Sequence, residues 1–136
     1  MRAEYDLAGK VIGLAMKVHS TLGAGFLESV YHKALTHELK KAGIKFETEK
    51  PLNVFYDDVL VGEFAADLLV ENELIVELKA VQNLAKAHEV QTVNYLVATG
   101  KDVGLLINFG AEHLEFKKKF RLPKTQVFDR MTELSK

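Results

Sequence analysis

Between residues 5 and 22 the apolar positions Leu7, Val11, Leu14, Ala15 and Val18 return at steps of three and four, the repeat of a helix with one buried face. Gly23-Ala24-Gly25 interrupts the pattern. A second helix is predicted from about Phe26, through Val30, Ala34, Leu35 and Leu39, to a C-cap at Gly43. The repeat then drops to two. Residues 44–49, 52–56, 59–70 and 74–81 are β-branched or aromatic runs, with Asp57-Asp58 marking a tight turn, and they predict an antiparallel meander. Helical spacing resumes over 84–99 and closes at Gly100. Residues 103–109 are almost continuously apolar, as in a strand covered on both faces, and 113–120 predict a further strand. A strand-helix-strand link implies parallel pairing. From about Arg121, with Pro123 and scattered charges, a loosely attached tail is expected.

The expectation is therefore an α/β fold of order αα-βββ-α-β, a mixed β-sheet with helices on both faces. One domain would span 1–136, with its core over about 5–120 and its tail over 121–136. At 136 residues, 48% hydrophobic and 27% charged, the chain can bury a sizeable core as one soluble unit. Cysteine is absent, which excludes disulfides and thiolate zinc sites. The N-terminal stripe carries Glu4, Asp6, Lys10 and Lys17, so it is read as neither a signal-peptide core nor a membrane span. A cytoplasmic location with no membrane partner is the default expectation. A formal net charge of -1 neither favours nor excludes a nucleic-acid partner, since a local basic patch suffices to meet phosphates.

Asp67, Glu77 and Lys79 set charge within strands that are otherwise almost wholly apolar. Asp67 lies in VGEFAADLLV, Glu77 and Lys79 lie in LIVELKAV, and the polar Glu71-Asn72-Glu73 turn lets the two runs fold back on each other. The period of two then brings all three side chains to one side of the sheet, with Asp67 beside Glu77. Burying two carboxylates without partners is costly, and a divalent cation would remove the conflict. Paired carboxylates are hard oxygen donors suited to Mg²⁺ or Mn²⁺. Zinc is disfavoured, because His37-Glu38 and His88-Glu89 are followed by Lys41 and Thr92 where a helical zinc motif needs a second His. Lys79 can orient the attacking water and screen charge on a phosphate, which points to phosphodiester hydrolysis.

An acid separated by a nine-residue gap from Glu-x-Lys resembles the PD-(D/E)XK nuclease superfamily, with Asp67 as its first acid, Glu77 as its second and Lys79 as its lysine. Ala66 stands where the motif's name has Pro. Upstream, GFLESVY (residues 25–31) carries the GxxExxY signature and is similar to the family named after it. That resemblance implies that Glu28 projects into the site as a further carboxylate. Tyr31, one turn later, is read as a packing residue whose hydroxyl bonds a site carboxylate, and Gly25 as the residue permitting the turn between helices. Downstream, Gln91 and Tyr95 resemble the Gln-x-x-x-Tyr pair of RecB-like nucleases, which lies beside substrate and metal. The likeness runs over about residues 7–120 and implies a restriction-endonuclease-like core. It further implies a Mg²⁺- or Mn²⁺-dependent nuclease in which Glu28, Asp67 and Glu77 hold the ion, and Lys79, Gln91 and Tyr95 position water or phosphate.

The expected substrate is nucleic acid, DNA before RNA. A competing expectation is a catalytically silent nuclease-like module that binds nucleic acid or a protein. A homodimer through an exposed sheet edge is a further expectation left open. Lys117-Lys118-Lys119 with Arg121 reads either as a solvated edge or as a contact to a nucleic-acid backbone.

Overall fold

The computed structural model describes residues 3–121, with side chains from Leu7 onward; the expected tail therefore lies almost wholly outside the described residues. Helix α1 (Ala3–Leu22) and helix α2 (Glu28–Lys41) are followed by strands β1 (Phe46–Tyr56), β2 (Val59–Val70) and β3 (Leu74–Lys79). Helix α3 (Lys86–Thr99) then leads into β4 (Val103–Asn108) and β5 (Glu115–Phe120). The five strands form one sheet in the order β1-β2-β3-β4-β5. All neighbours are antiparallel except β3 and β4, whose parallel pairing follows from the α3 crossover.

Two apolar clusters place the helices on opposite faces. Leu7, Val11, Ala15 and Val18 of α1, and Tyr31, Leu35 and Leu39 of α2, pack with Leu74, Val76 and Leu78 of β3 and Leu105 and Ile107 of β4. Ile75 of β3 packs instead with Tyr95 and Leu96 of α3. Glu77 and Lys79 follow Ile75 at steps of two and so take the α3 side. Helix α3 lies close to the sheet because β4 offers Gly104 beneath it: a Cβ there would stand 3.0 Å from Thr92 Cγ2 and 3.3 Å from Leu96 Cδ2. Among the described residues no helix is long and apolar enough to cross a membrane.

Three sequence expectations are refined. The runs 44–49 and 52–56 are one strand, β1, which continues through Pro51; β1 lies at the edge of the sheet, where a missing N–H is tolerated. Strand β3 ends at Lys79, two residues earlier than periodicity suggested, and β5 begins at Glu115. Strand β2 also changes layer partway. Leu68 and Val70 face α1 and α2, yet Phe64 and Ala66 join the α3 cluster. The switch occurs at Asp67, where the β1–β2 pairing passes from Thr48–Leu68 to Lys50–Ala66 without joining Glu49 to Asp67. Glu49 itself has φ 51°, a left-handed backbone uncommon in a strand.

Candidate active site

The layer switch frees Asp67 from both ladders. β2 and β3 pair from Leu68–Val76 to Val70–Leu74, and beyond that point side chains take over from backbone. The Asp67 N–H donates to Glu77 Oε1 at 3.2 Å, and the Leu78 N–H donates to Asp67 Oδ2 at 2.8 Å. Each carboxylate thus serves an amide of the facing strand where the ladder opens. The type I′-like turn that sets this register has left-handed residues at Glu71 and Asn72, φ 51° and 57°.

Glu77 is only 5% exposed. Burial, and then the charge of Asp67, push its carboxyl up to about 8, against the opposing pull of the Asp67 N–H and the Lys79 ammonium. Lys79, half-buried, lies within electrostatic reach of both Glu77 and Glu28. Two acids and an amine therefore meet at the splayed end of β2 and β3.

Glu28 is the first residue of α2. Its carboxyl is raised above the ordinary carboxylate range by partial desolvation and then by Asp67, while Lys79 and His32 pull it back. It interacts electrostatically with Asp67 and Lys79, and among the described residues it shares no hydrogen bond with either acid of the pair. The loop before it is pinned from below. Tyr31 is fully buried and stacks on Phe109 at 4.8 Å; its hydroxyl donates to the Gly23 carbonyl at 2.6 Å and accepts the Phe26 N–H at 3.1 Å. The packing role expected of Tyr31 is seen, but its hydroxyl clips the α1–α2 loop rather than bonding a site carboxylate. Gly25 has φ 113°, a conformation an L side chain resists, which explains the glycine at the start of the GFLESVY segment.

Tyr95 reaches the same region from α3. It is 8% exposed, stacks on Phe64 at 4.2 Å, and its hydroxyl is held above the usual phenol range by burial, then by Glu77 and Asp67. Gln91, one turn earlier, is exposed and shares with Tyr95 the wall of a cleft of about 1170 Å³ between α3 and the β1–β2 hairpin. His88 is occupied at the start of α3, where its Nδ1 accepts the Ala85 N–H at 3.0 Å. Of the basic run on β5, Lys119 is paired with Glu89 at 3.0 Å.

A family model describing the PD-(D/E)XK nuclease superfamily matches residues 5–120. The chain belongs to that superfamily. Its fold is shared with the crystal structure of SSO0001, at TM-score 0.56 and 17% identity, over 77% of this chain and 55% of that one. An alkaline exonuclease, LHK-Exo, from Laribacter hongkongensis aligns at TM-score 0.49 and 10% identity, over 74% of this chain and 58% of that one. This chain thus spans little more than half the length of either protein. No curated protein matches it by sequence.

Nucleases of this superfamily generally use divalent metal ions, and the donor chemistry here suits a hard cation. The Glu77 carboxyl is raised first by its own burial and then by the charge of Asp67, a conflict that a bound cation would relieve. Among the described residues no three His, Asp or Glu side chains converge as a ready-made cage, so the three-acid cluster anticipated from the sequence is represented by the Asp67–Glu77 pair with Glu28 at longer range. Mg²⁺ is commonly bound through one or two carboxylates with its remaining positions left to water and phosphate, which such a pair permits.

Two residues escaped the sequence reading. His32 Nε2 lies 3.2 Å from the Asp67 carbonyl oxygen, at the residue neither ladder pairs. Its position four after Glu28, on the same helical face, was the available signal. Glu49 interacts electrostatically with Glu28; counting back from the Asp57-Asp58 turn would have set it opposite Ala66, and only the register shift between Val54 and Phe55 brings it level with Asp67.

Proposed function

We propose that the protein is a Mg²⁺- or Mn²⁺-dependent nuclease that hydrolyses phosphodiester bonds, with DNA ahead of RNA as substrate. The observation that carries this reading is the Asp67–Glu77 pair at the opened end of β2 and β3, with Lys79 beside it, in a chain of a nuclease superfamily. Asp67 and Glu77 would hold the ion, assisted by Glu28. When bound, the ion supplies Lewis acidity at phosphorus and lowers the pKa of the attacking water.

The remaining work belongs to the chain. As a ligand Glu77 would be ionised, its proton released to solvent. The Lys79 ammonium screens the phosphate and orients the water for in-line attack. Tyr95 keeps its phenolic proton and so remains a hydrogen-bond donor near the carboxylates. Gln91 offers an amide to water or a phosphate oxygen from the adjoining wall. The GxxExxY segment fits this assignment, because Gly25 and Tyr31 fix the loop from which Glu28 is presented.

A second reading, a non-cleaving module that binds nucleic acid or protein, draws on the fact that both carboxylates already accept backbone amides. One experiment separates the two. Purified protein is incubated with single- and double-stranded DNA and RNA, with Mg²⁺, Mn²⁺ or EDTA, beside Glu77→Ala and Lys79→Ala. Metal-dependent cleavage lost in both variants supports the nuclease; cleavage surviving both rejects the residue assignment, and binding without cleavage selects the silent module.

A further inference from the structure

We propose that the cleft between α3 and the β1–β2 hairpin receives the unpaired bases of a nucleic-acid strand whose phosphate lies at Asp67 and Glu77. The inference rests on the nuclease reading and extends it to a substrate class, a single-stranded region.

The cleft opens directly off the carboxylates through one residue. Tyr95 lines it, and the same side chain shares a buried cluster with Ala66, next to Asp67, and with Ile75, two residues before Glu77 on the same face of β3. A strand following the cleft therefore passes the acid pair. Its floor is aromatic: Phe64 lies stacked on Tyr95 at 4.2 Å, and Phe55 stands 61% exposed on the hairpin wall. Asn53 and Asn94 add neutral amides from the two walls, and among the described residues Lys86 is the one charged lining residue. Among the described residues no carboxylate lines the cleft, which suits a polyanion.

This lining matches exposed bases rather than a duplex. In a duplex the base faces are stacked inside, and an aromatic wall gains nothing from them. Unpaired bases present π-faces to aromatics and edges to amides, a sequence-tolerant mode of recognition. Among the described residues no aromatic ring stacks on Phe55, which leaves its exposed face open to a stacked base.

The test uses Glu77→Gln protein, to bind without cutting, and a dye-labelled twelve-nucleotide single strand beside a blunt duplex of the same sequence. Fluorescence anisotropy is read for this variant alone and with Phe55→Ala or Asn94→Ala added. Both added positions line the cleft wall and Phe55 is exposed, so circular dichroism and urea unfolding are expected to match the parent. The single strand binds more tightly than the duplex, and Phe55→Ala weakens it roughly tenfold, the usual size of one lost base stack, while leaving duplex affinity unchanged.

Equal affinity for both substrates, or a single-strand affinity untouched by Phe55→Ala and Asn94→Ala, overturns the inference. So does a wild-type dimer by sedimentation that Phe55→Ala converts to monomer without changing strand affinity, since a second copy would then fill the cleft. Wild-type cleavage measured in parallel keeps the two readings apart. Metal-dependent cutting that ignores the cleft substitutions sinks the strand path and leaves the nuclease, whereas Phe55-dependent strand binding without any cutting supports the strand path and sinks the catalysis.

Discussion

Asp67 and Glu77 stabilise each other's strands through their carboxylates. The Asp67 N–H reaches Glu77 Oε1, and Asp67 Oδ2 holds the N–H of Leu78, the residue after Glu77. This exchange ties fold and chemistry to the same atoms, and substitutions can separate them. Asp67→Ala leaves the Leu78 amide without its acceptor and is expected to cost about 1–3 kcal/mol in urea unfolding. Asp67→Asn keeps an acceptor oxygen and is expected to retain most of that stability. Both should lose metal-dependent cleavage, so an active Asp67→Asn protein would show that the negative charge is not needed.

The pH dependence of the metal-free protein follows from Glu77. Its folded carboxyl titrates at about 8 against an ordinary value of 4.5, so the native state holds a proton that the unfolded chain has released. That contribution is complete below about 4.5, declines as pH rises, and is gone above about 8. Unfolding free energy in EDTA should be lower at pH 9 than at pH 6 by roughly 2–3 kcal/mol. Glu77→Gln should flatten the dependence, and a wild-type profile that rises over this interval would contradict the assignment.

The same proton must leave when a cation binds. At pH 7, titration calorimetry of Mn²⁺ in two buffers of different ionisation enthalpy should show proton release, and affinity should strengthen towards pH 8. Equal heats in both buffers would mean that Glu77 is not a ligand.

His32 is expected to act through Asp67. Its ring nitrogen sits against the Asp67 carbonyl where strand pairing is missing, so His32→Ala removes a partner that holds the acid in place. Cleavage should fall about 10–100-fold, in the range for residues that orient metal ligands, with KM for the nucleic acid little changed. His32→Gln, which can place an N–H at a similar reach, should recover part of kcat. A loss confined to stability, with kcat intact, would make His32 merely structural.

The Tyr31 clip gives a separate stability prediction. Tyr31→Phe keeps the stack on Phe109 but removes the hydroxyl that serves both Gly23 and Phe26, at an expected cost of about 1–3 kcal/mol. Activity should fall further than stability alone explains, because Glu28 follows that loop directly. Full activity in a stable Tyr31→Phe protein would show that Glu28 needs no such placement.

The element order was legible because the helices carry a repeat of three and four, the outer strands a repeat of two, and β4 a continuous apolar run that marks a strand covered on both faces. Asp67, Glu77 and Lys79 were legible as charges in otherwise apolar strands. What periodicity could not supply was the failure of periodicity itself. The layer switch at Asp67 puts Ala66 and Leu68 on opposite faces despite their spacing of two, and it coincides with the left-handed Glu49 of the neighbouring strand. His32 and the Tyr31 hydroxyl were hidden for a related reason. Their partners are backbone carbonyls and amides, whose positions are set by tertiary packing and leave no mark in residue type. Pro51 read as a break between strands because its edge location, which makes it harmless, is a property of the sheet.

The most direct measurement is a crystal of the protein grown or soaked with Mn²⁺ and recorded at the manganese absorption edge. An anomalous peak within coordination distance of the Asp67 and Glu77 carboxylates, with Lys79 facing it, is the predicted result. Saturating Mn²⁺ with no peak there, and with both carboxylates still bonded to the Asp67 and Leu78 amides, would contradict the metal site on which the proposed chemistry depends.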